Sequence, residues 1–250
     1  MSDRPMHTRP GAMEALRQLY TDAVAAIQAG DLEGAVAKLT AGLAIDDHYR
    51  QQYVTMYAQR AFALQRLGRY DDAIADYTQA IAMEPPLNQA QYLFHRGMCW
   101  AAKGAPVEAV ADYGASIALF PNHPGPYHLR AKILVNDLGR FADALPDLER
   151  VLAMRGELPD VLQLRGCALV NLGRHAAAVG DLERANQLAP DAFNDYLLAA
   201  CAATAGDEAR LERHMRVALG ASRGYADYFA QHADEFAPFR ERPWFKQLLA

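Results

Sequence analysis

Four arginine–aspartate pairs recur along the chain: Arg60 with Asp76, Arg96 with Asp112, Arg130 with Asp147, and Arg165 with Asp181. Opposite charges 16 or 17 residues apart suit two kinds of chemistry. They can form a charged track for a ligand, or a ladder of ion pairs between packed helices. Each cation brings its own anion, so the ladder is the expected use, and removing one partner of such a buried pair is costly. Other reactive groups are scattered. Histidines stand at 7, 48, 95, 123, 128, 175, 214 and 232, and only His123 and His128 lie close together. Two prolines separate them and no HxxxH spacing occurs, so no metal ligand is assigned. Cys99, Cys167 and Cys201 are odd in number, lack CxxC spacing, and read as reduced thiols. GxSxG, GxxxxGK[ST] and GxGxxG are all absent. No catalytic residue and no cofactor are expected, and the chain is read as a non-enzyme.

The charged pairs need elements that bring them together. LGRYDDAIADYTQAIAMEP at 67–85 returns as LGRHAAAVGDLERANQLAP at 172–190. A motif repeated at a period in the thirties marks a stacked array of helix pairs. Glycines at 30, 68, 104, 139, 173 and 206, with spacings falling from 38 to 33 residues, would end the first helix of each pair in the left-handed conformation. Helices are expected at about 12–28 and 32–45, 52–67 and 70–83, 88–103 and 106–119, 125–138 and 141–154, 159–172 and 175–188, and 192–205 and 207–219. Small and large residues keep step across each pair: Ala61 with Tyr77, Gly97 with Tyr113, Gly166 with Leu182. Small residues let helices approach while bulky ones fill the space beside them. Pro85, Pro121 and Pro190 close three second helices, whereas Asp47 and Gly156 stand at that place in the first and fourth copies. Pro146 falls inside a second helix, where it removes a backbone donor and can kink the helix.

This alternating ladder resembles the tetratricopeptide repeat family over roughly residues 16–192. The resemblance implies an all-α, right-handed α-solenoid of five to six helix pairs with a C-terminal capping segment. The expected organisation is a disordered N-terminal arm at 1–11 and an array at 12–222. Its copies lie at about 16–49, 54–87, 90–123, 124–158 and 159–192, with a degenerate one at 193–222. An aromatic cap would cover 223–250, with a helix near 223–233, a turn at Ala237-Pro238 and a short helix after Pro243. A terminal repeat exposes an apolar face that needs covering, and so many aromatics left in water would promote aggregation.

The resemblance further implies that the first helices of successive pairs line a concave groove. Mapped onto this chain, the groove residues are Tyr20 and Val24, then Thr55, Ala58, Phe62 and Arg66, then Gln91, Phe94 and Met98. The fourth copy adds His128, Lys132 and Asn136, and the fifth Gln163, Cys167 and Asn171. An aromatic and methionine stretch is thus followed by a polar, mildly basic one. Such a groove suits an extended or helical peptide with apolar anchors, although Phe62, Phe94 and Met98 could equally serve as core. Related repeat domains that clamp chaperone C-terminal carboxylates use a lysine and an asparagine in the first copy. They use asparagine, lysine and arginine in the next two. Tyr20, Val24, Phe62, Phe94 and Met98 match none of these, so that clamp is not expected here.

Charge narrows the partner class. The net charge is −5 and no run of Lys or Arg occurs, so neither a nucleic-acid footprint nor attraction to anionic membranes is expected. No stretch approaches the roughly 18–20 apolar residues of a membrane span. The N-terminus lacks the apolar run of a secretory signal, which makes a cytoplasmic protein the expectation. The expected function is non-catalytic protein–protein interaction, adaptor-, scaffold- or co-chaperone-like, by a monomer or homodimer holding a peptide or protein segment in the groove. The alternative is a self-associating assembly scaffold that uses the terminal repeats or the aromatic C-terminus.

Overall fold

The computed structural model of the chain describes residues 11–45, 50–85, 88–232 and 234–250. The arm expected at 1–11, apart from Gly11, lies outside the described residues, as do His7, Asp47, His48 and the side chain of His232.

Glycines recurring every 33–38 residues and an apolar rhythm near 3.6 residues produce consecutive helix pairs. These are α1 (Ala12–Ala29) with α2 (Leu32–Leu43), α3 (Arg50–Arg66) with α4 (Tyr70–Met83), and α5 (Ala90–Ala102) with α6 (Pro106–Leu119). They continue as α7 (Pro124–Asn136) with α8 (Phe141–Arg155), α9 (Pro159–Asn171) with α10 (His175–Leu188), and α11 (Ala192–Ala205) with α12 (Glu208–Ala221). No strand occurs among the described residues. All six turn glycines have φ between 61° and 83°, a region that side chains with a Cβ enter only at a cost. Asp31, Asp191 and Asp207 cap α2, α11 and α12 by accepting the amides of Gly34, Phe193 and Arg210. Each satisfies a donor that the helix start leaves open. α8 runs on through Pro146 without ending.

The chain divides into two compact units, residues 1–126 and 127–250, with the boundary inside α7. In the first unit, Leu16, Ala23, Leu39, Tyr53 and Met56 form one apolar cluster. Ala61, Leu64, Ala73, Ile74, Tyr77 and Cys99 form another. In the second unit the cluster is larger, because the C-terminal segment joins it. α13 (Tyr225–Asp227) continues as a π-helical turn at Tyr228–His232, followed by a 3₁₀ helix at Asp234–Phe239 and α14 (Pro243–Leu249). Phe229, Phe236, Phe239 and Phe245 are buried against α11 and α12 residues such as Leu198, Leu211 and Met215. The segment therefore caps the last pair. Its local form differs from expectation at one place: Ala237 and Pro238 lie inside the 3₁₀ helix instead of forming a turn.

Close approach explains the small residues. A Cβ on Gly97 would stand 2.8 Å from the Tyr113 ring, and that ring is wholly buried and cannot easily swing away. Gly97→Val should therefore cost about 1–3 kcal/mol by overpacking. Gly97→Ala should cost less, since its gain of roughly 1 kcal/mol in helix propensity offsets part of the clash. Urea melts of the two variants check both expectations.

Candidate binding groove

The four charged pairs assemble as an ion-pair ladder. In each pair the arginine Nε and Nη2 donate to the two carboxylate oxygens of its aspartate, at 2.6–2.7 Å. Asp76, Asp112 and Asp147 are buried. Arg60 and Arg96 also donate from Nη1 to Thr40 and Thr78 of the preceding pair, each at 3.0 Å, so these two rungs tie adjacent pairs together. The aspartate hydrogen bonds raise the arginines at 60, 130 and 165 above their ordinary value, against an opposing effect of burial. With the Nε–Nη2 edge of each guanidinium taken by its own aspartate, the ladder is occupied internally.

With the ladder in place, the first-helix side chains of the first unit define two neighbouring hollows. The first, about 320 Å³, is lined by Tyr20 of α1, Thr55, Ala58, Gln59 and Phe62 of α3, Tyr77 of α4, and Gln91, Tyr92 and His95 of α5. The second, about 410 Å³, is lined by Asn88, Ala90, Gln91, Phe94, His95, Ser116, Phe120 and His123. Gln91 and His95, one helical turn apart on α5, belong to both. Five groove residues read from the sequence thus meet at the first hollow, and Gln91 with Phe94 at the second. Val24, Arg66 and Met98 line neither. Val24 and Met98 are half-buried, and the Arg66 guanidinium lies 5.9 Å over the Phe62 ring. His95 and Phe120 escaped the sequence reading. The i, i+4 step from Gln91 to His95 was the available signal.

His95 is the ionisable centre of this surface. Its ring stacks on Tyr77 (5.9 Å, 13°), meets Phe62 edge-on (6.2 Å, 82°) and touches Phe94 (5.5 Å). Burial, reinforced by nearby His123, lowers its pKa below the ordinary 6.5. The folded state therefore holds fewer protons here than the unfolded chain just below pH 6.5, and stability falls as pH drops through that window. A His95→Gln variant should accordingly lose less stability than the parent between pH 7.5 and 5.5, as read by paired urea melts.

In the second unit the remaining groove residues make local contacts. His128 Nε2 lies 3.1 Å from Asp160, Gln163 donates to Asp191 at 2.9 Å, and Asn171 donates to the Cys167 carbonyl at 2.9 Å. Lys132, Asn136 and Asn171 are exposed. The sixth pair carries a rung of different chemistry. His214 stands where the repeat would place an aspartate and Leu198 where it would place arginine. His214 Nδ1 lies 2.7 Å from Asp195 Oδ1, which the sequence reading missed. Burial raises all three thiols, Cys99 to about 12 and Cys201 to about 11. Protonated and packed against neighbours, they are poor nucleophiles. No cluster of three or more His, Cys, Asp or Glu able to hold a metal occurs among the described residues. Nor, among those residues, is any helix long and apolar enough to cross a membrane.

A family model described as tetratricopeptide repeat matches residues 59–124 and 137–208, more than half of the chain. The chain belongs to the tetratricopeptide repeat family. Solved structures agree on the fold. A tetratricopeptide repeat protein from Parabacteroides merdae ATCC 43184 is 16% identical, with a TM-score of 0.66 over 94% of this chain and 90% of that one. MamA (41 to end) from Desulfovibrio magneticus RS-1 is 19% identical, with a TM-score of 0.62 over 72% and 98%. At these identities the likeness is one of fold. No curated protein matches the chain in sequence. Tetratricopeptide repeat proteins are in general non-catalytic interaction modules, and the helix pairs here are built as in that family.

Proposed function

We propose that this protein is a non-catalytic interaction module that holds a peptide or protein segment along the first helices of its first unit. The observation that carries the reading is the pair of hollows sharing Gln91 and His95. Aromatic walls from Phe62, Tyr92 and Phe94 supply apolar anchoring, while Gln59, Gln91 and Asn88 supply hydrogen-bonding groups for a backbone. Spaced sockets with polar rims are what an extended or helical peptide with two apolar anchors requires. In the second unit by itself, exposed Lys132 and Asn136 suit contact with an acidic side chain.

The test is selection of peptides from a displayed random library on the intact protein, followed by affinity measurement on single variants. Gln91→Arg places a bulky charge on an exposed position common to both hollows, so the fold should persist. Selected peptides should carry two apolar anchors and bind this variant at least about tenfold more weakly. Undiminished binding to Gln91→Arg would remove the site from these hollows.

A further inference from the structure

The second unit carries a hollow that this reading leaves unused. Phe193 and Tyr196 of α11 face Tyr225 of α13 and Tyr228 of the π-helical turn around a space of about 350 Å³, completed by Ser222 and Gly224. Tyr196 holds in the sixth pair the place of Gln163 in the fifth. Its ring lies nearly parallel to Phe193 (6.1 Å, 21°) and to Tyr225 (5.8 Å, 23°). Tyr228 meets it edge-on at 5.8 Å and 64°. Unlike the phenylalanines of the cap core, Phe193 and Tyr228 stay 36% and 52% exposed.

The aromatic lining of the hollow favours a cation. Aromatic faces carry negative potential and attract cations. No lysine or arginine is among the lining residues. Adjacent Arg223 is engaged elsewhere, donating to the carbonyls of Leu248 and Leu249 at 3.0 and 2.9 Å. Two carboxylates act on the rings. Burial raises the Tyr225 and Tyr196 hydroxyls, and the charges of Asp191 and Glu235 respectively push them further. Asp191 is held in place by the Phe193 amide and by Gln163.

From this charge complementarity we propose that the hollow seats an arginine side chain presented by a partner protein. A planar guanidinium can lie flat against parallel ring faces and is weakly hydrated, so it leaves water readily. A lysine ammonium is compact and strongly hydrated, and gives up more on entering. The ring faces then supply attraction from the side, and the Asp191 and Glu235 carboxylates add to it at longer range. This surface stands on its own observations and does not depend on the hollows of the first unit.

The test uses the whole protein, isotope-labelled, titrated with acetyl-Gly-Arg-Gly-amide and followed by NMR. The control is the same peptide with citrulline, which keeps the planar shape and removes the charge. The arginine peptide should give saturable shifts centred on Phe193, Tyr196, Tyr225 and Tyr228, and the citrulline peptide should bind about tenfold more weakly. Phe193→Ala and Tyr228→Ala remove exposed rings and should each weaken arginine binding several-fold. Equal affinity for citrulline, tighter binding of the same peptide with lysine in place of arginine, or no saturable shift at these rings in the parent protein would each overturn the proposal. Because the parent protein's ring signals decide the matter, a poorly folded variant leaves the outcome intact.

Discussion

Arg96→Ala should lower stability by about 3–5 kcal/mol, because it strands Asp112 rather than merely deleting a contact. Asp112 is 6% exposed and accepts from Arg96 Nε and Nη2, both at 2.7 Å. Without the guanidinium its carboxylate has neither water nor a counter-charge. The Thr78 hydroxyl of the preceding pair loses its donor in the same step. For a chain of this size the loss corresponds to a fall in melting temperature of roughly 6–20 °C. Two controls separate this mechanism from generic damage. Arg69→Ala, which removes an exposed pair with Asp72, should cost under about 1 kcal/mol. The double change Arg96→Leu with Asp112→Leu should recover most of the single variant's loss, since no charge is then left unpaired. An unchanged melting temperature in Arg96→Ala would show that the ladder contributes nothing to stability.

Phe236→Ala should be comparably damaging, at about 3–5 kcal/mol, for a different reason. Its side chain is fully buried, meets Phe229 edge-on at 5.0 Å and 71°, and lies 6.1 Å from Tyr196. Truncation leaves a cavity at the point where the cap covers α11 and α12. α11 carries an unbroken buried run, Leu197 to Ala203, so loosening the cap opens apolar surface to water. Binding of the dye ANS at 25 °C should rise in Phe236→Ala and stay at the parent level in Phe193→Ala, whose ring is already partly in water. Equal dye binding in the two variants would mean that the C-terminal segment is an appendage and not a cap.

The repeat architecture was legible because it rests on residues that act locally and recur. A glycine that must take positive φ, a small residue facing a large one, and an arginine 16 or 17 residues before an aspartate keep their meaning in each copy that carries them. Repetition turns each weak signal into a strong one. The Arg–Asp ladder could be read for the same reason: each rung joins the two helices of one pair, so sequence spacing alone brings the partners together. The need for a cap followed from the same logic, since a stacked array ends in an apolar face.

What depended on contacts between pairs could not be read. The two hollows of the first unit gather side chains from α1, α3, α4, α5 and α6, and which neighbours close over a space depends on how successive pairs are rotated. That is why Tyr20, Thr55 and Phe62 meet at one hollow while Met98, equally plausible by register, lines neither. The rung at His214 was obscured because its partner, Asp195, sits one turn from the position the repeat prescribes, and only packing selects that turn. In the C-terminal segment the repeat ends and with it the reading by analogy between copies. There the aromatics divide into buried Phe229, Phe236 and Phe245 and the open ring of Tyr228, because tertiary packing covers one set and leaves the other beside the solvent. Composition and period determined the fold and the need for a cap. Only the assembled structure decided which aromatic rings became core and which became surface.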